Sequence, residues 1–159
     1  MKQILVPVDG SPASMEAVAL ACNVAKRNKG KVYAVYVVQV HRSLPLDAEL
    51  NAENDRGEKI LAEAERVADE NDFTIEGEIL QARDVSHAVV DEAVERGVDG
   101  IMLGVEYKAP SGMGFEWPRG GKPVPIGGDF GLGSVPLYIL QHAPCEVWLI
   151  RRAPQSGAG

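Results

Sequence analysis

The sequence predicts an α/β fold in which an open, five-stranded parallel sheet carries helices on both faces. Short apolar runs alternate with segments of helical periodicity, which is typical of βαβ units. The runs are rich in valine and isoleucine and lack polar alternation, as expected for strands that are covered on both sides. Turn-forming residues separate the runs from the periodic segments. Together these observations favour a doubly wound sheet.

The first βα unit has well-marked boundaries. An apolar run at residues 4–8 predicts a strand, and Asp9 ends it. Ser11 and Pro12 are suited to the N-cap and the first position of the helix that follows. We expect this helix to end near Gly30, with the glycine supplying a left-handed stop.

The middle of the chain repeats the pattern twice. Asp84 is a candidate N-cap for a helix that Gly97 should end. The predicted elements are a strand at 31–38, a helix at 54–70, a strand near 73–81, a helix at 85–96 and a strand at 99–104.

The chain then changes character at residues 105–132, which hold seven glycines and four prolines without apolar periodicity. A loop of this length within one domain is usually functional or mobile. We expect it to be mobile without ligand, with the first proteolytic cuts near Lys108, Arg119 or Lys122.

Regular structure should resume with Ser134 as the N-cap of the last helix, which Pro144 ends. A fifth strand is predicted at 146–150. We therefore expect one domain over residues 1–151, with 105–132 inserted, and a disordered tail at 152–159.

Charge and composition exclude several classes of partner. The sequence has 16 Lys and Arg residues and 23 Asp and Glu residues, so its net charge is −7. This charge argues against nucleic acid or an anionic membrane as the main partner. The two cysteines lie far apart, so a disulfide framework is not indicated. The N-terminus does not resemble a signal peptide, and no apolar stretch is long enough to span a membrane. We expect a cytoplasmic protein.

Three features should meet at the carboxyl edge of the sheet, where ligands bind in this class of fold. They are Asp9 after the first strand, Gly104 after the fourth, and Gly133 with Ser134 at the start of the last helix. A carboxylate at one end and an anion-binding helix start at the other suit a nucleotide. The alternative is that Asp9 and Ser134 only cap their helices.

Neither a metal site nor a catalytic residue is predicted. His41, His87 and His142 fall in separate elements without the spacing of metal ligands. Cys145 precedes a strand and is expected to act as a small apolar residue. We therefore expect a binding module and not a dedicated enzyme. Any catalysis would be limited to slow ATP hydrolysis.

Three segments taken in order resemble the universal stress protein family. They are ILVPVDGSPASMEAVALA near the N-terminus, ARDVSHAVVDEAVERGVDGIMLG in the middle and GSVPLYILQHAPCEVWLI near the end. The resemblance covers residues 2–104 and 131–151. It implies a five-stranded parallel sheet of order 3-2-1-4-5, usually a homodimer, and, in part of the family, binding of ATP, with Mg²⁺ as its counter-ion.

The resemblance also implies which residues hold the nucleotide. Pro7, Asp9 and Val37 match the positions that contact the nucleoside. Gly104 matches the first glycine of the phosphate loop, and Gly133 with Ser134 matches the glycine–serine pair that ends it.

The sequence departs from the family pattern between those two ends. Tyr107 stands where the second loop glycine is expected, and the loop is longer by about sixteen residues. Glu106 adds a negative charge where phosphates would approach. A second function therefore stays open, in which the insertion binds a protein or another small ligand and no nucleotide is held.

The last predicted strand indicates how two chains would associate. Val147, Trp148, Leu149 and Ile150 form an apolar run on a strand that the implied order places at the sheet edge. Unpaired backbone groups on such an edge invite a second copy. We expect a homodimer through these four residues.

Overall fold

Five strands form one parallel sheet in the computed structural model, which describes residues 1–107 and 133–153. The order across the sheet is β3-β2-β1-β4-β5, and every neighbouring pair is parallel. This confirms both the predicted fold class and the implied strand order. In chain order the strands are β1 (Gln3–Pro7), β2 (Lys31–Gln39), β3 (Glu76–Ala82), β4 (Gly100–Gly104) and β5 (Glu146–Ile150).

Helices cover both faces of the sheet. They are α1 (Pro12–Asn28), α2 (Asn51–Glu70), α3 (Val85–Arg96) and α4 (Ser134–His142). One buried cluster joins α1 and α2 to the sheet through residues such as Val6 and Ile60, and the other joins α3 and α4 to the opposite face through Leu5 and Ile139. Strand order reverses between β1 and β4, which opens a crevice at their carboxyl ends.

The helix starts predicted at Ser11 and Asp84 are confirmed. The Ser11 hydroxyl accepts a hydrogen bond from the Ser14 N–H at 3.1 Å, and the Asp84 carboxylate accepts one from the His87 N–H at 3.0 Å. Gly97 ends α3 in the left-handed conformation, with φ at 61°. Local signals therefore suffice to set these boundaries.

Two predicted helix boundaries, the end of α1 and the start of α4, are wrong by one residue. The left-handed residue after α1 is Lys29, with φ at 55°, and Gly30 follows it. Gly30 is required for another reason, because a Cβ there would overlap the carbonyl group of Lys2. The N-cap of α4 is Gly133, with φ at 87°, so Ser134 is the first helical residue and not the cap.

Two other elements have different lengths from those predicted. The helix α2 begins at Asn51, three residues earlier than the periodicity indicates. The strand β3 begins at Glu76, because the Phe73 N–H still donates to the carbonyl of Ala68 and completes the end of α2.

Most of the predicted insertion and nearly all of the predicted tail fall at residues 108–132 and 154–159, outside the described residues. The predicted proteolytic sites lie there as well. Within residues 1–107 and 133–153, no helix has the length and apolar character needed to cross a bilayer.

Asp99 ties the start of β1 to the turn before β4. Its Oδ2 atom accepts hydrogen bonds from the backbone N–H groups of Gln3 and Lys2, each at 2.9 Å. These bonds, with the Gln3 bond contributing most, lower the pKa of the Asp99 carboxyl below its usual value. The folded state is therefore stabilised by the charged form of this side chain.

We expect this contribution to disappear in acid. Because the pKa of Asp99 is lower in the folded state than in the unfolded state, the stabilisation is present above about pH 4 and is lost as the pH falls through the folded value. Asp99→Asn should therefore be less stable than the parent protein at pH 7, with the difference shrinking toward pH 2. Urea unfolding across this range tests it, with Asp69→Asn on α2 as control. A difference between parent and Asp99→Asn that stays constant with pH would contradict the assignment.

Candidate functional site

The chain turns sharply as it leaves β1 and fixes Asp9 at the sheet edge. Pro7 is paired with Val35, the Val8 N–H donates to the Val35 carbonyl at 2.9 Å, and the ladder to β2 then ends. Gly10 follows with φ at 86°, a conformation that favours glycine.

The carboxylate of Asp9 does not cap α1, which is capped by Ser11. Its Oδ1 atom accepts a hydrogen bond from the Ser11 N–H at 2.9 Å, and the side chain is exposed. No described residue donates to its Oδ2 atom. Asp9 is therefore held in place while one oxygen stays available to a ligand.

The strand β2 is longer than β1, and this leaves part of its backbone unpaired on the β1 side. Backbone groups of alternate strand residues point to the same side. Because the Val35 carbonyl points toward β1, the N–H and C=O of Val37 do so as well. In the described chain β1 pairs no further than Val35, so Val37 presents a donor and an acceptor to the space beside Asp9.

Gly104 ends β4 in close contact with α1. A Cβ at this position would overlap the carbonyl of Ala13 and lie 2.7 Å from the Ser14 nitrogen. The Val105 N–H donates to the Ile150 carbonyl at 2.9 Å, which directs the chain over the start of α1. There the Glu106 carboxylate accepts a hydrogen bond from the Ala13 N–H at 3.5 Å. Gly104 thus has a clear packing function at this edge.

The start of α4 is the remaining part of the predicted site. Gly133 caps this helix without a side-chain hydrogen bond, and the exposed Ser134 follows as the first helical residue. Backbone N–H groups in a first helical turn lack intrahelical acceptors and favour anions. The alternative that Ser134 is only an N-cap is wrong, because Gly133 holds that position.

The topology brings the predicted site residues to one edge of the sheet. Leu5 of β1 pairs with Ile101 of β4, so these two strands lie side by side and their carboxyl ends flank the crevice. The other glycines proposed to complete the phosphate loop lie within residues 108–132, outside the described chain.

A cleft of about 750 Å³ that sequence reasoning missed lies at the same edge, beyond the ends of β2 and β3. Arg83 is anchored there, because its Nη1 atom donates to the His41 carbonyl at 2.6 Å, and the Gln39 side chain donates to the Arg83 carbonyl at 3.2 Å. The signal that could have found it is position, since most of the lining residues directly follow β2 or β3, just as Asp9 follows β1. They are Gln39, Val40, His41, Arg42, Arg83, Asp84 and His87.

Among the residues that the structure describes, Asp84 is the one carboxylate that lines this cleft. Hydrogen bonds from the Ser86 hydroxyl and then from the His87 N–H lower the pKa of its carboxyl. It therefore stays charged at neutral pH beside two arginines.

The histidines and cysteines do not form a metal site in the described ranges, where no group of three potential ligands occurs. His87 and His142 instead both contact the ring of Tyr138, His87 edge-on and His142 at a tilt, each with a centroid distance of 4.3 Å. Burial raises the pKa of the Cys22 thiol to about 11 and also raises that of Cys145. Both thiols are therefore protonated at neutral pH.

Comparison with known proteins agrees with this architecture. The sequence pattern of the universal stress protein family matches residues 1–114, more than two thirds of the chain. The universal stress protein MJ0531 of Methanocaldococcus jannaschii is 29% identical over 157 residues, which cover 95% of this chain and 82% of the relative.

Two solved structures show the same fold at lower identity. The universal stress protein from Archaeoglobus fulgidus in complex with dAMP has a TM-score of 0.68 and 17% identity, over 94% of this chain and 98% of that chain. A family member from Arabidopsis thaliana with AMP bound has a TM-score of 0.62 and 18% identity, over 98% and 95%. Because the family's sequence pattern matches most of this chain, the chain belongs to the universal stress protein family.

Proposed function

We propose that this protein is a regulatory module that binds an adenine nucleotide at the carboxyl edge of its sheet. The observation that carries the proposal is the unpaired backbone of Val37 next to the anchored carboxylate of Asp9. The solved relatives that hold dAMP and AMP add support, because they share this fold. ATP with Mg²⁺ is the ligand that the family resemblance suggests.

The base would be held by the backbone of Val37. Adenine offers an amino donor beside a ring-nitrogen acceptor, which complements one C=O and one N–H on the same side of a strand. Pro7 precedes the turn and lies opposite Val35, two residues before Val37. A site built from backbone groups recognises the base without a specific side chain.

The sugar and the phosphate would lie toward β1 and α4. The free Oδ2 atom of Asp9 can accept hydrogen bonds from ribose hydroxyls, and a charge-assisted bond of this kind contributes about 1.5–3 kcal/mol. The N–H groups of Ser134 and Val135, at the start of α4, have no acceptor among the described residues and suit a phosphate, whereas Pro136 has no N–H. The residues at the two ends of the crevice therefore match the two polar parts of a nucleotide.

Replacing Asp9 by alanine tests this assignment. We expect AMP to bind the Asp9→Ala variant about ten- to a hundredfold more weakly than the parent protein, because the bond to the sugar is lost. Isothermal titration calorimetry measures the affinity, and thermal unfolding of each variant shows whether the fold is intact. Asp69→Ala removes an exposed carboxylate from α2 and is the matched control.

Ligand binding by the wild-type protein tests the proposal as a whole. If millimolar adenosine, AMP and ATP all produced neither heat nor a shift in melting temperature, nucleotide binding would be excluded. The alternative function, contact of the 105–132 insertion with a protein or another small ligand, would then be favoured.

We also propose that two copies associate through β5. The Ile150 carbonyl accepts from the Val105 N–H, so the backbone groups of Ile150 and Trp148 point toward β4. Those of Val147 and Leu149 therefore point away from the sheet, at its outer edge. A second β5 related by a two-fold axis would satisfy them.

A further inference from the structure

Glu106 stands at the start of α1, next to the turn that carries Asp9. We infer that Glu106 is a specificity-determining residue that makes the site discriminate against negative charge on its ligand, so that adenosine and AMP bind in preference to ATP. The inference rests on the proposed nucleotide site and concerns which member of that ligand class is selected.

The position of Glu106 follows from the packing before it. Gly104 lies directly on the backbone of Ala13, and the Val105 N–H is held by the Ile150 carbonyl. The next residue is therefore placed over the first turn of α1, where its carboxylate accepts from the Ala13 N–H.

The start of α1 has no backbone donor left for a phosphate. The Ser11 N–H donates to Asp9, the Ala13 N–H to Glu106 and the Ser14 N–H to the Ser11 hydroxyl. The residue between them, Pro12, has no N–H. A helix start that would otherwise attract an anion is therefore occupied by two of the protein's own carboxylates.

The described arginines near this site do not pair with these carboxylates. Arg152 pairs with Glu16 at 2.7 Å, and the Arg151 guanidinium lies 5.2 Å from the centre of the Tyr107 ring. Within residues 1–107 and 133–153, neither Asp9 nor Glu106 forms an ion pair. Phosphates drawn to the start of α4 would therefore approach two carboxylates that no described cation pairs with.

The cost rises with each phosphate added to the ligand. Two like charges at about 4 Å in water repel by an energy that corresponds to roughly a fivefold loss of affinity, and salt screens the effect. Adenosine carries no such charge, so its affinity should be insensitive to Glu106. The change in the ratio of the ATP to the adenosine dissociation constant when Glu106 is replaced therefore measures the contribution of this residue.

The experiment is calorimetric titration of adenosine, AMP and ATP in buffer that contains EDTA. We expect Glu106→Gln to tighten ATP binding about fivefold while leaving adenosine unchanged, because the amide keeps an oxygen for the Ala13 N–H. Glu65→Gln, at an exposed position on α2, makes the same change in net charge and should leave the ratio unaltered. Raising NaCl from 20 to 300 mM should narrow the gap between ATP and adenosine more in the parent protein than in Glu106→Gln, which keeps only the Asp9 carboxylate.

The outcomes separate this inference from the proposed function. If adenosine binds, and binding is lost in Asp9→Ala, while Glu106→Gln and Glu65→Gln leave the same ratio as the parent, the role of Glu106 is overturned and the nucleotide site stands. If none of the three ligands binds the parent protein, both are overturned.

Discussion

Gly104→Ala is expected to lower the free energy of unfolding by about 3 kcal/mol, which is severe for the addition of one methyl group. The added Cβ would overlap the carbonyl of Ala13 and approach the Ser14 nitrogen. Both neighbours are backbone atoms of the first turn of α1, so no side chain can rotate away. Relief requires that β4 and α1 separate, which disturbs packing at the centre of the sheet.

Thermal and urea unfolding measure this effect. For a chain of this size, a loss of about 3 kcal/mol corresponds to a fall of roughly 6–12 °C in Tm. Gly77→Ala is the matched control, because Gly77 also lies in a strand and a Cβ there would make ordinary contact with Leu61 at 3.4 Å or more. Equal melting temperatures for Gly104→Ala and Gly77→Ala would show that the close approach of β4 to α1 is not rigid.

The variant also separates two functions of Gly104. The family resemblance assigns this residue to the phosphate loop, whereas the structure shows a packing contact that is needed with or without ligand. If Gly104→Ala lowers Tm equally in the presence and absence of AMP, packing alone explains the requirement for glycine.

The fold could be predicted from local patterns because each helix or strand has a sequence signal within a few residues of its boundaries. The apolar run before Asp9 and the cap at Ser11 depend only on their neighbours, and the structure reproduces both. Ser134 shows the limit of this approach. A serine after a glycine suits an N-cap, but Gly133 adopts φ at 87° and takes that position itself.

The site was only partly predictable, because its geometry depends on contacts distant in sequence. Asp9 was predicted from its position after the first strand, and Val37 only from the family resemblance. The reason that Val37 is available is that β2 continues where β1 stops, and this needs the register of the sheet. The contact of Glu106 with Ala13 spans 93 positions. Composition and periodicity carry no information on pairs of this kind. The cleft around Arg83 was missed although most of its lining residues lie at the ends of strands.

Trp148→Lys is expected to convert the proposed homodimer into a monomer. The side chain of Trp148 is 38% exposed on the edge strand β5, between the outward-pointing backbone groups of Val147 and Leu149. Covering that exposed fraction in a dimer would contribute on the order of 2 kcal/mol per chain. Across a two-fold axis the two lysines would also lie near each other and repel. The combined loss corresponds to about a thousandfold or more in the dissociation constant of the dimer.

Sedimentation equilibrium over a range of concentrations measures this change. Ile150→Lys is a poorer test, because Ile150 is partly buried against the α1–α2 core cluster and a lysine there would disturb folding as well as association. Val94→Lys is the better control, since it places the same charge on a 60% exposed apolar position of α3, away from the sheet edge. The parent protein and Val94→Lys should sediment as dimers, and Trp148→Lys as a monomer. At low protein concentration the thermal stability of Trp148→Lys should equal that of the parent protein. A dimer that survives Trp148→Lys would mean that the chains meet through another surface and that β5 is not the interface.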